Sequence, residues 1–388
     1  MKKKLNLYEP YLDKHDLNYI NKAIRTKWVS TAGPHVERFE SEISKFTKAK
    51  YSLALNSGTS SLHLALKCVG VKESDAVLVP TATFIAPINA VLYNKAEPIF
   101  FDVDNYLNIN VDDVILYLKT KTIQKGKILL SKKTKKRIKA VIIVHVFGRP
   151  ANIAKLTSIC KKFSIKIIED ASESLGSFII LDHEIIHTGL IGDVGCFSFN
   201  GNKIITTGSG GMLITDNKTY YKKALYYSSQ SKNDSIFFKH NSIGYNYRMN
   251  NLEASLGLSQ IKKIKKILKK KEIDHLLYKK NLKNHDKYEI LGNPKKTICN
   301  NWINILIIKT KINKYKFKEI ISKFHQSSIF VRPLWHPNHL QKFLNKFEKF
   351  NIKKIQHYSK AVICLPSSYS LAAKDIQFVT TFIKKLKF

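Results

Sequence analysis

The sequence has no run of apolar residues approaching the ~20 that a membrane-spanning helix needs. Its N-terminus, MKKKLNLYEPYLDKHDL, starts basic and turns polar and acidic at once, where a signal peptide would place an apolar segment. Cysteine is scarce: Cys68, Cys160, Cys196, Cys299 and Cys364 are odd in number and widely spaced, with no CxxC pair. That excludes a disulfide framework and a zinc ribbon, and it fits a reducing compartment. The expectation is a soluble, cytoplasmic protein with no membrane partner. Acidic residues are few as well, 29 against 66 Lys and Arg, which leaves a net charge of +37.

A basic surface attracts phosphates without any base-specific contact, so this charge admits a non-catalytic nucleic-acid-binding or regulatory protein as one class of function. The excess is nearly all lysine rather than arginine, and it arrives with abundant Ile and Asn, the drift expected of AT-rich coding sequence. That origin is preferred, and no nucleic-acid partner is expected. Under either origin, anionic small substrates are favoured near such a surface.

At 388 residues the chain has room for two or three domains. Hydrophobic residues at 44% and charged residues at 24% exclude wholesale disorder. Through the first three fifths, short β-branched runs (AVLVP, EPIFFDV, KAVIIVHVFG, IKIIEDA) alternate with segments of helical spacing such as PANIAKLTSICKKF. This alternation predicts an α/β fold with a mostly parallel sheet covered by helices, whose ligand sits beyond the carboxyl ends of the strands. The texture changes at Asn250. Leu252, Leu256, Ile261, Ile264 and Leu268 form an apolar stripe on a long helix with a lysine-rich solvent face, and a strand (NWINILIIK) and a helix (KFKEIISKF) follow. The expected division is a large domain over 1–249 and a smaller α+β domain over 250–388. The lysine-rich stretch from Lys119 to Lys139 reads as an exposed insertion.

Four local patterns could carry chemistry. Asn56-Ser57-Gly58-Thr59-Ser60-Ser61 opens the helical run LHLAL, offering free amides and a positive dipole end to an anion; ordinary N-capping explains it equally well. Asp170 and Glu169 end a very hydrophobic strand, where a carboxylate is costly without a cationic partner. Such an Asp could hold a protonated ring nitrogen, or it could cap the next helix. Lys203 stands between an aromatic-hydroxyl strand and the Gly-rich turn Gly208-Ser209-Gly210-Gly211. A lysine in an apolar pocket becomes a nucleophile able to form a Schiff base. The fourth, Gly244-Tyr245-Asn246-Tyr247-Arg248, is polar and aromatic at the domain junction and could be a hinge. Phosphate cradle, strand-end Asp and isolated Lys, in that order, are the parts a pyridoxal phosphate site requires.

The chain resembles the DegT/DnrJ/EryC1/StrS sugar aminotransferases nearly end to end. KWVSTAGPHVERFE, NSGTSSLHLAL, VPTATFIAPINAV, VIIVHVFGRPANI, IIEDASESLGS, FSFNGNKIITTGSGGML and GYNYRMNNLEASLG appear in family order. EDASESLGS followed by SFNGNKIITTGSGGM is similar to the branch acting on UDP-4-keto-6-deoxy-N-acetylhexosamines of the legionaminic acid or bacillosamine type. The resemblance implies the fold of a fold type I pyridoxal 5'-phosphate aminotransferase. It further implies a nucleotide-linked keto sugar as acceptor, L-glutamate as amino donor, amination at C4, and a homodimer with active sites at the subunit interface.

By motif, it makes Lys203 the Schiff-base lysine and proton shuttle, and Asp170 the partner of the pyridinium nitrogen. Gly58, Thr59, Ser60 and Ser198 then hold the cofactor phosphate, Phe84 stacks on the ring, and Asn246 reaches a phosphate in the neighbouring subunit. Glu173 is placed with the cofactor, although many relatives carry His or Gln there, and Ser209 replaces the Glu of a common GEGG turn. Trp28 and Ser30 are assigned to the substrate. So are Arg332, Trp335 and His336, which could close over it from the small domain or form a packed corner. Some relatives have His in place of the lysine and are dehydratases, the alternative within this fold; Lys203 argues against it.

One pattern points elsewhere. His183-Glu184-Ile185-Ile186-His187 matches the H-E-x-x-H zinc motif, which works only on a helix, where four residues rise about 6 Å on one face. Here β-branched neighbours and Gly189 predict a hairpin, with the two His ~13 Å apart, and no metal is expected.

Overall fold

Short β-branched runs assemble into a central sheet in which alternate residues feed two separate cores. The structure, a computed structural model, describes residues 3–234 and 236–386. Across the sheet the strands lie in the order Tyr51–Leu55, Gly211–Thr215, Val194–Ser198, Lys166–Asp170, Arg137–Val144, Asp75–Pro80, Glu97–Phe101 and Lys349–Phe350. From Val194–Ser198 onward each neighbouring pair is parallel, whereas Gly211–Thr215 runs antiparallel to both its neighbours. Val77, Val79, Ile142 and Ile168 point into one apolar core, and Ala76, Leu78, Ile143 and Ile167 into the other, as the period-2 pleat requires. Helices cover both faces, so these strands read as continuous apolar runs.

Helix starts follow local capping chemistry. Ser57 caps Gly58–Cys68 by accepting the Ser60 amide at 3.0 Å, and Asn110, Asn217 and Asn313 cap three further helices in the same way. Asn250 and Glu253 form a reciprocal capping box at the head of the 31-residue helix Asn251–Asn281. The inward face of that helix runs Ala254, Leu258, Ile261, Ile264 and Ile267, while Leu252, Leu256 and Leu268 are half-buried. The stripe read from the sequence is thus rotated. The first turns of the helix are enclosed on several sides, so small residues such as Ala254, Ser255 and Gly257 also face inward.

Beyond this helix, Tyr288–Ile290, Asn304–Ile308, Val362–Leu365 and Arg332–Pro333 form an antiparallel sheet. The helices Lys314–Gln326 and Ala373–Lys385 pack Phe317, Ile320, Phe324, Ile376 and Val379 on it, giving a smaller α+β body with its own core. The chain crosses between the two bodies. Leu5 enters the smaller core, and Lys349–Phe350 adds a parallel strand to the edge of the large sheet.

The stretch from Lys119 to Lys139 lies largely exposed between the helix Val111–Thr120 and the strand Arg137–Val144, and it carries regular structure of its own. Thr122–Lys125 and Ile128–Ser131 pair as a hairpin joined to the large sheet at Leu130 and Arg137, and Leu129 and Ser131 are buried. The HEIIH segment is a hairpin too. Phe178–Leu181 pairs with Glu184–His187 through a turn at Asp182 and His183, both with positive φ. His183 sits at the exposed turn. His187 is buried, accepting the Gly176 amide at 2.8 Å and facing the Thr188 carbonyl at 2.6 Å. Among the described residues no helix is long and apolar enough to cross a membrane.

Candidate active site

The strands Tyr51–Leu55, Val194–Ser198, Lys166–Asp170, Arg137–Val144 and Asp75–Pro80 bring their carboxyl ends to one edge of the sheet. A cavity of about 350 Å³ opens there, lined by Gly58, Thr59, Phe84, Asp170, Glu173, Ser198 and Lys203 and closed from the smaller body by Trp302, Arg332 and Trp335. Sheet geometry accounts for the location: parallel strands bring their carboxyl ends, and with them Asp170, Ser198 and the residues that follow the other strands, to the same edge.

Lys203 is largely buried, and its Nζ lies 3.5 Å from Glu173 Oε1 and 4.3 Å from the centre of the Trp302 ring. The backbone around it is held from two sides. The Tyr8 hydroxyl donates to the Lys203 carbonyl at 2.8 Å, and the Trp302 indole N–H donates to the Asn202 carbonyl at 2.7 Å. Glu173 Oε2 accepts the Phe147 amide at 2.7 Å, so the carboxylate is fixed while its other oxygen faces the amine. Burial pushes the Glu173 carboxyl above its ordinary range, and the Lys203 charge works against this. Phe147 itself sits at φ 54°, and its ring stacks on Trp335 with centroids 4.7 Å apart.

Asp170 ends its strand between Val144 and Cys196 and is 5% exposed. Burial raises its pKa, while the Ser172 amide, donating at 3.1 Å, and the nearby charge of Lys203 pull the other way. A cation in the cavity would offset that desolvation, as a protonated pyridine nitrogen does. Glu169, its neighbour in sequence, points away from the cavity. Burial works to raise it too, but hydrogen bonds from His145 at 2.9 Å and from the Gly189, Ile191 and Gly192 amides outweigh burial and hold it below its ordinary value. The Ala151 amide donates to His145 Nδ1, which leaves the ring proton on Nε2 facing Glu169. The acidic pair therefore divides into one structural and one cavity-facing carboxylate, a distinction that adjacent residues of one strand acquire from the pleat.

The head of the helix Gly58–Cys68 forms the opposite wall. Helix geometry leaves the amides of Gly58 and Thr59 without acceptors inside the helix. A Cβ on Gly58 would come within 2.9 Å of Ser198 Cβ and 3.2 Å of Ser172 Oγ, so only glycine lets this helix end approach the two hydroxyl residues. Free amides, two hydroxyls and the positive helix end make an anion cradle. With Asp170, Phe84 and Lys203 in the same cavity, the residues present fit pyridoxal phosphate.

Of the residues expected from the sequence, Gly58, Thr59, Phe84, Asp170, Glu173, Ser198, Lys203, Arg332 and Trp335 line the cavity. Ser60 does not: its amide is bound to Ser57 Oγ and its hydroxyl donates to Asn56 at 2.6 Å. Asn246 is exposed and outside this chain's cavity. His336 is exposed beside it, and Trp28 and Ser30 are exposed elsewhere, their carbonyls accepting from Asn251. The sequence reading missed Tyr8 and Trp302, which reach Lys203 from either side of it in the sequence, and the cavity-lining Ser172 and Asn202. No local signal marks the first two, whereas Ser172 and Asn202 stand inside motifs already singled out.

The family model of the DegT/DnrJ/EryC1/StrS aminotransferases matches residues 10–384. The chain is 30% identical to the GDP-perosamine synthase of Escherichia coli O157:H7 over 385 residues, 99% of this chain and 98% of that protein. It is 28% identical to the UDP-4-amino-4,6-dideoxy-N-acetyl-beta-L-altrosamine transaminase of Campylobacter jejuni, covering 95% and 93%. Among solved structures it is similar to Helicobacter pylori PseC, an aminotransferase involved in the biosynthesis of pseudoaminic acid. That match has a TM-score of 0.86 and 25% identity, covering 99% of each chain. The chain belongs to the DegT/DnrJ/EryC1/StrS family, the pyridoxal phosphate-dependent sugar aminotransferases of nucleotide-sugar metabolism.

Proposed function

We propose that this enzyme moves an amino group from L-glutamate to C4 of a nucleotide-linked 4-keto-6-deoxy sugar, UDP-2-acetamido-2,6-dideoxy-4-ketohexose, for surface-glycan biosynthesis. Glutamate leaves as 2-oxoglutarate and the ketone becomes an amine. The observation that carries the reading is Lys203 Nζ placed in one cavity with Asp170, Glu173 and the Gly58 helix end. The Campylobacter relative, named as a UDP-sugar transaminase, supports the nucleotide, and the perosamine synthase is the GDP-linked counterpart.

When bound, pyridoxal phosphate supplies an aldehyde and a ring that takes up the electron pair released as a carbon beside nitrogen loses its proton. The Gly58 and Thr59 amides and the Ser198 hydroxyl would hold its phosphate, Asp170 would keep its ring nitrogen protonated, and Phe84 would shield it from solvent. Lys203 Nζ takes the α-proton of the amino donor in the first half-reaction and returns a proton to sugar C4 in the second. Glu173 keeps that amine oriented between the two tasks. Arg332 and Trp335 meet the sugar nucleotide at the cavity mouth. Asn246, exposed and outside its own chain's cavity, reaches the phosphate site of a second copy, making the working unit a homodimer. In this reading the cofactor-binding part spans 1–249 and the smaller part 250–388, and the enzyme works in the cytoplasm, which suits five free cysteines.

The test is the visible spectrum of the purified protein with pyridoxal phosphate, before and after L-glutamate. A visible band that disappears on adding glutamate, with 2-oxoglutarate released, is the expected result. A band indifferent to glutamate would overturn the donor, and no band would overturn the site. A screen of keto-sugar nucleotides, read by product mass, then decides between the UDP-linked and GDP-linked acceptors and between amination and dehydration.

A further inference from the structure

Lys271 is 1% exposed, in the helix Asn251–Asn281, and no motif singles it out from the lysines around it. Asp274, the acid one turn on, is taken by Lys270 at 2.5 Å. Instead of a carboxylate, Lys271 Nζ faces the Trp302 carbonyl at 3.2 Å, the Ser367 carbonyl, and the Tyr8 ring with its centroid 4.3 Å away. Burying an amine in this way costs several kcal/mol unless each N–H finds a partner. Here two carbonyls and an aromatic face supply them. Burial draws Lys271 down to about 7, with Asp274 opposing and Lys270 adding to the shift. In either protonation state the nitrogen keeps enough N–H groups for both carbonyls.

Two of the three partners of Lys271, Tyr8 and Trp302, are also the residues that hold Lys203. Tyr8 donates its hydroxyl to the Lys203 carbonyl, and Trp302 donates its indole N–H to the Asn202 carbonyl while its ring lies against Lys203 Nζ. Ser367 ties in the N-terminal segment as well, its amide donating to the Leu7 carbonyl at 2.7 Å. Three segments far apart in sequence, around Tyr8, Trp302 and Ser367, thus meet on one buried nitrogen. A flexible four-carbon side chain such as that of Lys203 needs a rigid backbone to present its amine reproducibly, since a misplacement of about 1 Å at a reacting group can cost about 100-fold in rate.

We propose that Lys271 is a positioning residue for Lys203, gathering Tyr8 and the Trp302 segment so that these two fix the backbone and one face of the reactive amine. The proposal rests on Lys203 being the cofactor-binding lysine. Its test uses the full-length protein stripped of cofactor and reloaded with pyridoxal phosphate, which needs neither the amino donor nor the sugar. The rate at which the visible band forms and the pH midpoint of that band are compared for wild type, Lys271→Met and Tyr8→Phe, with melting temperature recorded for each. Lys271→Met should slow band formation about tenfold and move its pH midpoint, and Tyr8→Phe, which removes a single hydroxyl, should do the same more weakly.

A folded Lys271→Met protein with the wild-type rate and midpoint overturns the proposal, even where its melting temperature falls. Where Lys271→Met does not fold, Tyr8→Phe decides, and a wild-type rate and midpoint there overturn it equally. Absence of a band in the wild type would remove the assignment of Lys203 and this proposal with it. Unaffected variants beside a normal wild-type band remove the proposal alone.

Discussion

Glu173 presents one carboxylate oxygen to Lys203 Nζ at 3.5 Å while its other oxygen is pinned by the Phe147 amide at 2.7 Å. The geometry separates what the charge does from what the acceptor does. Glu173→Gln keeps an oxygen for Phe147 and loses the charge facing the amine. It should fold normally and slow the glutamate half-reaction about tenfold, the difference between a charge-assisted and a neutral contact. Glu173→Leu also leaves the Phe147 amide without its acceptor, and urea unfolding should show a further loss of roughly 1–3 kcal/mol. Equal half-reaction rates for Glu173→Gln and wild type would remove the charge from the account.

Lys203→Ala removes the amine itself. Turnover should vanish while circular dichroism and the melting temperature stay close to wild type, because the backbone contacts from Tyr8 and Trp302 involve main-chain carbonyls of Lys203 and Asn202. Wild-type activity in this variant would refute the assignment.

Asp170→Asn should move stability and cofactor retention in opposite directions. Burial raises the Asp170 pKa, so the folded protein holds that proton more tightly than the unfolded chain. The associated stability is present at low pH and fades as pH rises through the folded value. At pH 8 the cofactor-free Asn variant should therefore melt no lower than wild type, and the two should converge on acidification. Retention of pyridoxal phosphate in dialysis should fall at least about 100-fold, the ~3 kcal/mol scale of a buried charge left without its partner. Undiminished retention would place the ring nitrogen elsewhere.

Gly58→Ala probes the cradle. The added methyl meets Ser198 Cβ at 2.9 Å, and Ser198 ends a buried strand that has little freedom to move. The expected cost is roughly 1–3 kcal/mol of stability, with a weakened affinity for inorganic phosphate measured by calorimetry. A variant binding phosphate as tightly as wild type would show that this helix end is not the anion site.

Asp104 gives a pH signature away from the site. Burial pushes its carboxyl up to about 6, although it accepts the Tyr106 and Asn108 amides. The folded state binds the proton more strongly, so the stability tied to it is full below the unfolded carboxylate value and is lost as pH rises through 6. Asp104→Asn keeps the acceptor and removes the buried charge. It should be more stable than wild type by roughly 1–2 kcal/mol at pH 8, with the gap closing toward pH 4. A gap independent of pH would count against a raised Asp104.

With the enzyme class shown by the family, the charge of +37 no longer stands for a non-catalytic nucleic-acid-binding or regulatory protein. It remains a general attraction for anionic substrates, of which a nucleotide-linked sugar is one.

Much of this enzyme was legible along the chain because its parts are local. A strand-end Asp170, a glycine opening a helix at Gly58 and Lys203 before a Gly-rich turn each sit in a short pattern whose chemistry is visible within ten residues. A sheet with parallel strands carries such patterns to one edge. The HEIIH segment was legible for the same reason, since β-branched neighbours favour a hairpin whichever residues flank it. Other features could not be read locally. Whether Ser60 offers its amide to a ligand or to Ser57 depends on the capping geometry at that turn. Which of Glu169 and Asp170 faces the cavity depends on the pleat and on where His145 lies.

Sequence by itself determined most of the elements, their order and which residues stand as candidate reactive groups, because those follow from nearest-neighbour backbone and side-chain chemistry. Tertiary structure alone decided the surroundings of Lys203. Tyr8, Trp302 and Lys271 come from segments separated by tens to hundreds of residues, and nothing in the local pattern of any of them specifies the other two. Only packing of the smaller body and the N-terminal segment against the large sheet sets their distances, and burial then turns ordinary residues into a brace.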